Sequence, residues 1–205
     1  MRKKVIIRAP LMSLSGYGTH CRQIFKWLIS RDDLEVMTQP VPWGITSWMI
    51  NPDLEEGLIG EIMWRTTQTC SSDVSFQVQL PNEWDSTLGN KNVGVSAFVE
   101  TDVCNPQWVN GFCNNMDMII VPSEHVRGTI ENSGVSRTSI KVIPESYYDC
   151  VRRDTPAFGI DFETDFNFLV VGQLTGRNPE NDRKNVFYTI KWLCELFSND
   201  PNVGV

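Results

Sequence analysis

The sequence contains only two histidines, His20 and His125, and its six cysteines all stand apart from one another. Structural metal sites gather Cys and His at short spacings such as Cys-x2-Cys, and no such spacing occurs here. Two histidines are also too few for a multi-histidine site, so we expect no metal. Isolated cysteines are typical of a reducing compartment, and we expect a cytoplasmic protein.

The sequence also lacks a long apolar run and an excess of basic residues. No segment approaches the roughly 20 apolar residues that cross a bilayer, and the N-terminus has no apolar signal core. The 205 residues include 18 Lys and Arg against 25 Asp and Glu, a formal net charge of -7. An acidic surface has no general attraction for phosphate backbones or anionic lipids. We therefore expect neither a transmembrane segment nor a nucleic-acid partner.

Residues 4–28 read as a strand, a glycine loop and a helix. The apolar run Val5–Ile7 predicts a short buried strand, and apolar residues then recur at helical spacing. The loop between them ends in the sequence SGYG, which contains Gly16 and Gly18. In open α/β folds, a strand that leads into a helix through such a loop presents backbone N–H groups to a ligand's phosphates. The alternative is that the two glycines only make the turn.

Short apolar strands and amphipathic helices alternate through the first 145 residues. The predicted strands after the first are 34–37, 73–80, 92–99, 117–121 and 140–143, and the predicted later helices are 53–64, 108–116 and 123–132. This alternation predicts an α/β fold with a Rossmann-like, doubly wound and mainly parallel sheet.

The composition changes over residues 147–165, which carry many charges and no clean period. We interpret this stretch as the connection between an N-terminal Rossmann-like domain, residues 1–146, and a second domain. The run FNFLVVG from Phe166 predicts a buried strand, and an amphipathic helix follows it. One strand and one helix cannot bury a core alone, so we expect residues 166–205 to be the incomplete start of a second Rossmann-like domain.

Two carboxylates, Glu100 and Asp102, follow the predicted strand 92–99. Open α/β sheets bind ligands beyond the carboxyl ends of their strands, so these residues are candidates for a functional site. The alternative is a capped helix start, with Asp102 or Asn105 as the N-cap and Pro106 in the first turn.

Five segments, in this order, carry a resemblance: SGYGTHCRQI, FVETDVCNPQWV, MDMIIVPSEHVRGTIENSGV, KVIPES and FLVVGQLTGR with the later DRKN. Together they resemble the GT-B glycosyltransferases, most closely the retaining, nucleotide-sugar-dependent group 1, family 4-like type. The resemblance implies two Rossmann-like domains that face each other across a cleft. It also implies transfer of a sugar from a nucleotide-diphosphate sugar to a hydroxyl-bearing acceptor, with retention and without a bound metal or other cofactor.

The same resemblance implies roles for particular residues. Gly16 and Gly18 would bind the donor diphosphate from the N-terminal side. A basic pair would bind it from the C-terminal side, where Arg177 and Lys184 are the best match and Arg183 competes with Arg177. Glu100 and Asp102 would lie near the reacting sugar or the acceptor. Some relatives have a histidine in that region and this chain has none, so the role of Glu100 stays open between acceptor contact, base-like polar contact and structure.

Two alternatives remain at this stage. The Glu-x7-Glu pair of the family would lie beyond Val205, so the chain could instead be a non-catalytic module that binds an acceptor or a partner and is inactive by itself. A Rossmann dehydrogenase needs Gly-x-Gly-x-x-Gly, and Cys21 stands where the third glycine would be. The dehydrogenase reading is therefore the weaker of the two.

Overall fold

The computed structural model describes residues 2–68, 71–147, 159, 161–172, 174, 177–182 and 184–205. The chain divides into two compact units, Met1–Val151 and Arg152–Val205. No helix in the described part of the chain is long and apolar enough to cross a membrane.

A six-stranded parallel sheet forms the centre of the first unit. Its strands are β1 (Lys3–Ala9), β2 (Leu34–Pro40), β3 (Ser72–Val78), β4 (Gly89–Val95), β5 (Met118–Val121) and β6 (Ser139–Val142), in the spatial order β2-β1-β3-β4-β5-β6. The helices that flank it are α1 (Gly16–Ile29), α2 (Leu58–Trp64) and α3 (Glu124–Ser133). The predicted α/β fold with a Rossmann-like, doubly wound sheet is confirmed.

The apolar pattern of the sequence explains how the helices pack on this sheet. Cys21, Phe25 and Leu28 recur at helical spacing on α1, and all three are fully buried in one core cluster with β1. A second cluster surrounds α3 and β5. As predicted, α3 follows the N-cap Ser123, whose hydroxyl accepts from the N–H of Val126, and it ends at Gly134.

Three predicted elements differ in extent or type. The helix predicted from residue 53 begins only at Leu58, because residues 55–57 have positive φ angles that a right-handed helix does not allow. The strand predicted over 92–99 ends at Val95, and Phe98 beyond it has a φ of 55°. The helix predicted over 108–116 is a π-helical turn, Trp108–Phe112, followed by the 3-10 turn Cys113–Asn115.

The second unit contains β7 (Phe166–Asn167), α4 (Val186–Leu196) and β8 (Val203–Gly204), with the two strands parallel. The predicted buried strand FNFLVVG is therefore wrong in both extent and burial, because only Phe166 and Asn167 form a strand and both are exposed. Leu169 and Val171 are 88% and 85% exposed. In the described part of this unit the sheet has two strands only, so it has no inner strand that could be covered on both faces.

Candidate functional site

The strand order of the first unit reverses at β1. From β1 the chain moves outward to β2 and then returns across β1 to form β3 on the other side. In open α/β sheets, ligands bind beyond the carboxyl ends of the strands at such a reversal. The loop between β1 and α1 lies at this point, because it leaves the carboxyl end of β1 at Ala9. The topology therefore places the start of α1 at the position where this fold binds its ligands.

The first turn of α1 contains both glycines of the SGYG sequence. Ser15 is the N-cap, and its hydroxyl accepts from the N–H of Gly18 at 3.0 Å. Gly16 and Gly18 both lie within the helix, and the described glycines with positive φ are Gly44 and Gly57. The interpretation that the two glycines make the turn is therefore wrong. The turn precedes Ser15 in the β1–α1 loop.

Gly16 and Gly18 have different surroundings. Gly16 is exposed, and a Cβ atom on it would meet nothing within 4 Å. Gly18 is buried, and a Cβ atom there would lie 2.1 Å from the carbonyl oxygen of Ser13. Gly16 thus leaves open space in front of the helix N-terminus, where an anion complements the N–H groups and the helix dipole. Gly18 is needed for the close approach of the β1–α1 loop.

Arg22 holds that loop in place from the buried side of α1. Its guanidinium donates to the carbonyl oxygens of Leu11 and Ser13 at 3.1 and 2.9 Å, and it pairs with Glu55 at 2.7 Å. The side chain is only 4% exposed. The charge of Arg22 is therefore used inside the fold. Nothing in the spacing of the sequence indicated this pairing.

Tyr17 connects α1 to the segment that follows β4. Its hydroxyl lies 3.2 Å from the hydroxyl of Ser96 and accepts from the N–H of Ala97 at 2.9 Å. Burial raises the pKa of Tyr17 above its ordinary value. The ring of Trp43 stacks on the Tyr17 ring with the centroids 4.1 Å apart. The start of α1 therefore contacts the segments that follow the carboxyl ends of β4 and β2.

Glu100 and Asp102 lie on an exposed segment beyond β4. The backbone of this segment is fastened to α3: Thr129 donates to the carbonyl of Thr101 at 2.9 Å, and Asn132 donates to the carbonyl of Asp102 at 3.1 Å. Glu100 is three residues from Ala97, which at full extension is about 11 Å of chain. Chain length thus limits how far Glu100 can lie from Ala97, whereas the backbone of Asp102 is held beside the last turn of α3.

Asn105, and not Asp102, caps the helical turn that follows. The Asn105 side chain accepts from the N–H of Gln107 at 3.0 Å, and its carbonyl accepts from the N–H of Trp108 at 2.8 Å. Of the two N-cap candidates in the sequence, the structure thus selects Asn105. The Asp102 carboxylate is not used as that cap.

In the second unit, Arg177 and Lys184 are both exposed, and Arg183 lies outside the described residues. Asp182 is buried just before α4, and its carboxylate accepts from the backbone N–H groups of Lys184 and Val186 at 3.2 and 2.8 Å. A carboxylate therefore occupies the N-terminus of α4. An anion bound here would be held by the basic side chains and not by the backbone of this helix.

His20 is a residue whose surroundings the sequence did not indicate. Its Nδ1 atom is buried and has no hydrogen-bond partner among the described residues. Burial lowers the pKa of His20, and the nearby Glu145 carboxylate acts in the opposite direction. The ring therefore favours the neutral form. The residues next to His20 in the sequence could not reveal this environment, because Glu145 comes from the segment after β6.

Over the described residues, no group of three or more His, Cys, Asp or Glu side chains could hold a metal ion. Cys21 and Cys113 are both free and buried, and burial raises the pKa of the Cys113 thiol to about 12. These thiols are protonated and unreactive at neutral pH.

Comparison with models of protein families and with curated proteins finds no match for this chain.

Proposed function

We propose that the chain belongs to a retaining glycosyltransferase of the GT-B type. It would move a sugar from a nucleotide-diphosphate sugar to a hydroxyl-bearing acceptor. One structural observation supports a diphosphate site above all others: the exposed N-terminus of α1 at the strand-order reversal, with open space in front of Gly16. The sugar-transfer chemistry rests on the resemblance of the five segments to GT-B enzymes.

The chemistry requires stabilisation of the leaving diphosphate. Negative charge grows on it as the bond to the sugar breaks, so positive groups held beside it stabilise the transition state more than the ground state. The N–H groups at the start of α1 would supply part of that stabilisation through the helix dipole. By the resemblance, Arg177 and Lys184 of the second unit are a phosphate-binding basic pair, in which Arg177 offers a bidentate fork. Glu100 and Asp102 would contact the acceptor or the transferred sugar.

A negative charge introduced at Gly16 tests the diphosphate site. Gly16→Asp places a carboxylate at the helix N-terminus, where it stabilises the helix but repels a bound diphosphate. The isosteric control Gly16→Asn has the same shape and no charge. We expect Gly16→Asp to weaken the binding of UDP or GDP about tenfold or more, which corresponds to a repulsion of at least about 1.4 kcal/mol. Gly16→Asn should bind these nucleotides far more tightly than Gly16→Asp does. Isothermal titration calorimetry measures both affinities.

A matched set of variants in the second unit is titrated with the same nucleotides. Lys184→Gln and Arg177→Gln should weaken nucleotide binding, whereas Lys191→Gln, a change to an exposed lysine on α4, should not. Equal nucleotide affinity in all of these variants and the parent would contradict the proposal. Transfer of a radiolabelled sugar to a glycan or alcohol acceptor then separates the two readings of the sequence. Donor binding without transfer would support the non-catalytic binding module.

A further inference from the structure

Phe98, in the segment after β4, has a strained backbone. Its φ angle of 55° lies in the left-handed region, which is an outlier for a bulky residue that is not glycine. Such a conformation persists only where the surrounding structure holds it, and it is found most often at functional sites. The Phe98 ring is buried and packs edge-to-face on Trp84 and Trp108, with the centroids 6.2 Å apart in both pairs. The ring is thus anchored, and the strain lies in the backbone between it and β4.

Tyr17 restrains this strained turn from the first turn of α1. Its hydroxyl accepts from the N–H of Ala97 at 2.9 Å and lies 3.2 Å from the hydroxyl of Ser96. The same Ser96 hydroxyl accepts from the N–H of Phe98 at 3.2 Å. These bonds form a connected set, in which the loss of one member weakens the others. The Tyr17 hydroxyl therefore acts on the backbone of Ala97 directly and on that of Phe98 through Ser96.

Helix α3 holds the other end of the same segment. Side chains on its last two turns donate to the carbonyls of Thr101 and Asp102, at 2.9 and 3.1 Å. Residues 98–100 thus separate the attachment to α1 from the attachment to α3. Three residues span at most about 11 Å, so the attachment at Tyr17 limits where Glu100 can lie.

We propose that Tyr17 is a positioning residue. Its hydroxyl holds the strained turn at Phe98 and thereby sets the position of the following segment, which carries Glu100, relative to the start of α1. Groups on different elements that act on one ligand must keep a constant separation, and this bond provides it. The role of Glu100 in sugar transfer rests on the proposed function. The restraint on the segment does not, because it follows from the hydrogen bonds.

Hydrogen exchange of the full 205-residue chain, followed by NMR, tests the restraint without a ligand. Tyr17→Phe keeps the ring and removes only the hydroxyl. We expect the Phe98 amide to exchange about tenfold faster in this variant, as the loss of one hydrogen bond at a part-buried site implies. The Ser96 amide, which donates to the carbonyl of Ile120 in β5, should keep its rate. An unchanged Phe98 rate would overturn the inference, and so would an equal acceleration of both amides, because that result indicates general destabilisation.

Two further variants assign the effect to this set of bonds. Ser96→Ala removes the hydroxyl that accepts from the Phe98 N–H. Adding Tyr17→Phe to it should not accelerate the Phe98 amide further, because changes within one hydrogen-bonded set are not additive. The control Tyr188→Phe removes the hydroxyl of another hydrogen-bonded tyrosine, on α4, and should leave the Phe98 rate unchanged. Full additivity of the Tyr17 and Ser96 changes would contradict a shared restraint.

Nucleotide titration of the same samples separates this inference from the proposed function. In the parent, UDP bound at the start of α1 should shift the amide resonances of Phe98 and Glu100. Tyr17→Phe should still bind UDP but lose most of that shift, and equal shifts in the two proteins would overturn the positioning role. If neither UDP nor GDP binds the parent, the proposed diphosphate site fails, and the exchange rate of Phe98 alone decides whether Tyr17 holds the turn.

Discussion

Two glycines that are near neighbours in the sequence carry different constraints. Gly16 faces open space, so its lack of a side chain leaves room for something outside the protein. Gly18 faces the backbone of Ser13, so its lack of a side chain leaves room for the protein itself. The family resemblance implies the same diphosphate-binding role for both glycines. The structure gives only Gly16 the accessible position that the proposed role requires.

A substitution pair tests the constraint at Gly18. Gly18→Ala places a Cβ atom 2.1 Å from the Ser13 carbonyl oxygen, a backbone atom that cannot move aside cheaply. We expect a loss of about 1–3 kcal/mol in the free energy of unfolding. Gly128→Ala, in α3, meets nothing within 4 Å and should instead add about 0.5–1 kcal/mol. Urea denaturation of both variants measures these changes, and equal effects would contradict the packing role of Gly18.

At the scale of elements, Arg22 ties α1 both to the loop that precedes it and to a connection much further along the chain. It bonds to carbonyls of the β1–α1 loop and to Glu55, which lies 33 residues away in the turns before α2. The ion pair and both carbonyl contacts are buried or nearly so. The shape of the β1–α1 loop, and with it the start of α1, therefore depends on one guanidinium.

Two arginine variants compare this buried pair with an exposed one. Arg22→Met removes the guanidinium that pairs with Glu55 and donates to two loop carbonyls, and breaking a buried pair typically costs about 3–5 kcal/mol of unfolding free energy. Arg31→Met removes an exposed pair with Asp33 and should cost far less, because water and salt screen that pair. Chemical denaturation monitored by circular dichroism gives both values. A small effect of Arg22→Met would show that the loop is held by other contacts.

The elements that the sequence predicted correctly are those specified by local signals. Helix α3 is the best example, because Ser123 and Gly134 mark its two ends within the helix's own sequence. The burial of Arg22 and the surroundings of His20 could not be predicted, because they involve segments that only the folded chain brings together. The run FNFLVVG failed for a related reason: an apolar run predicts a buried strand only if neighbouring strands flank it.

At the scale of the whole first unit, acid should lower stability through carboxylates that hold the sheet's connections. Asp117 accepts from the Lys91 ammonium at 2.7 Å and from the N–H of Asn92 at 2.9 Å. These hydrogen bonds, followed by the charge of Lys91, lower the pKa of Asp117. A carboxyl group with a lowered folded-state pKa stabilises the fold above its unfolded pKa, and that stabilisation is lost as the pH falls through the folded value.

The comparison of Asp117→Asn with the parent tests this linkage. We expect the parent protein to lose unfolding free energy as the pH falls below about 4, the ordinary pKa of an aspartate. Asp117→Asn should be less stable than the parent at pH 7, and the difference should shrink as the pH is lowered. Thermal melts at a series of pH values measure it. A difference that stays constant from pH 7 to pH 3 would exclude Asp117 as a contributor.

The pairing of β1 with β3 has a consequence for how the protein is made. Strand β1 leaves the ribosome well before its inner neighbour β3: the Lys4 N–H donates to Asp73, 69 residues further along the chain. At roughly 5–20 residues per second, the apolar run Val5–Ile7 waits roughly 4–14 s for that partner. During most of this interval only β2 can pair with β1, so the inner edge of β1 stays open to pairing with other chains until β3 is made.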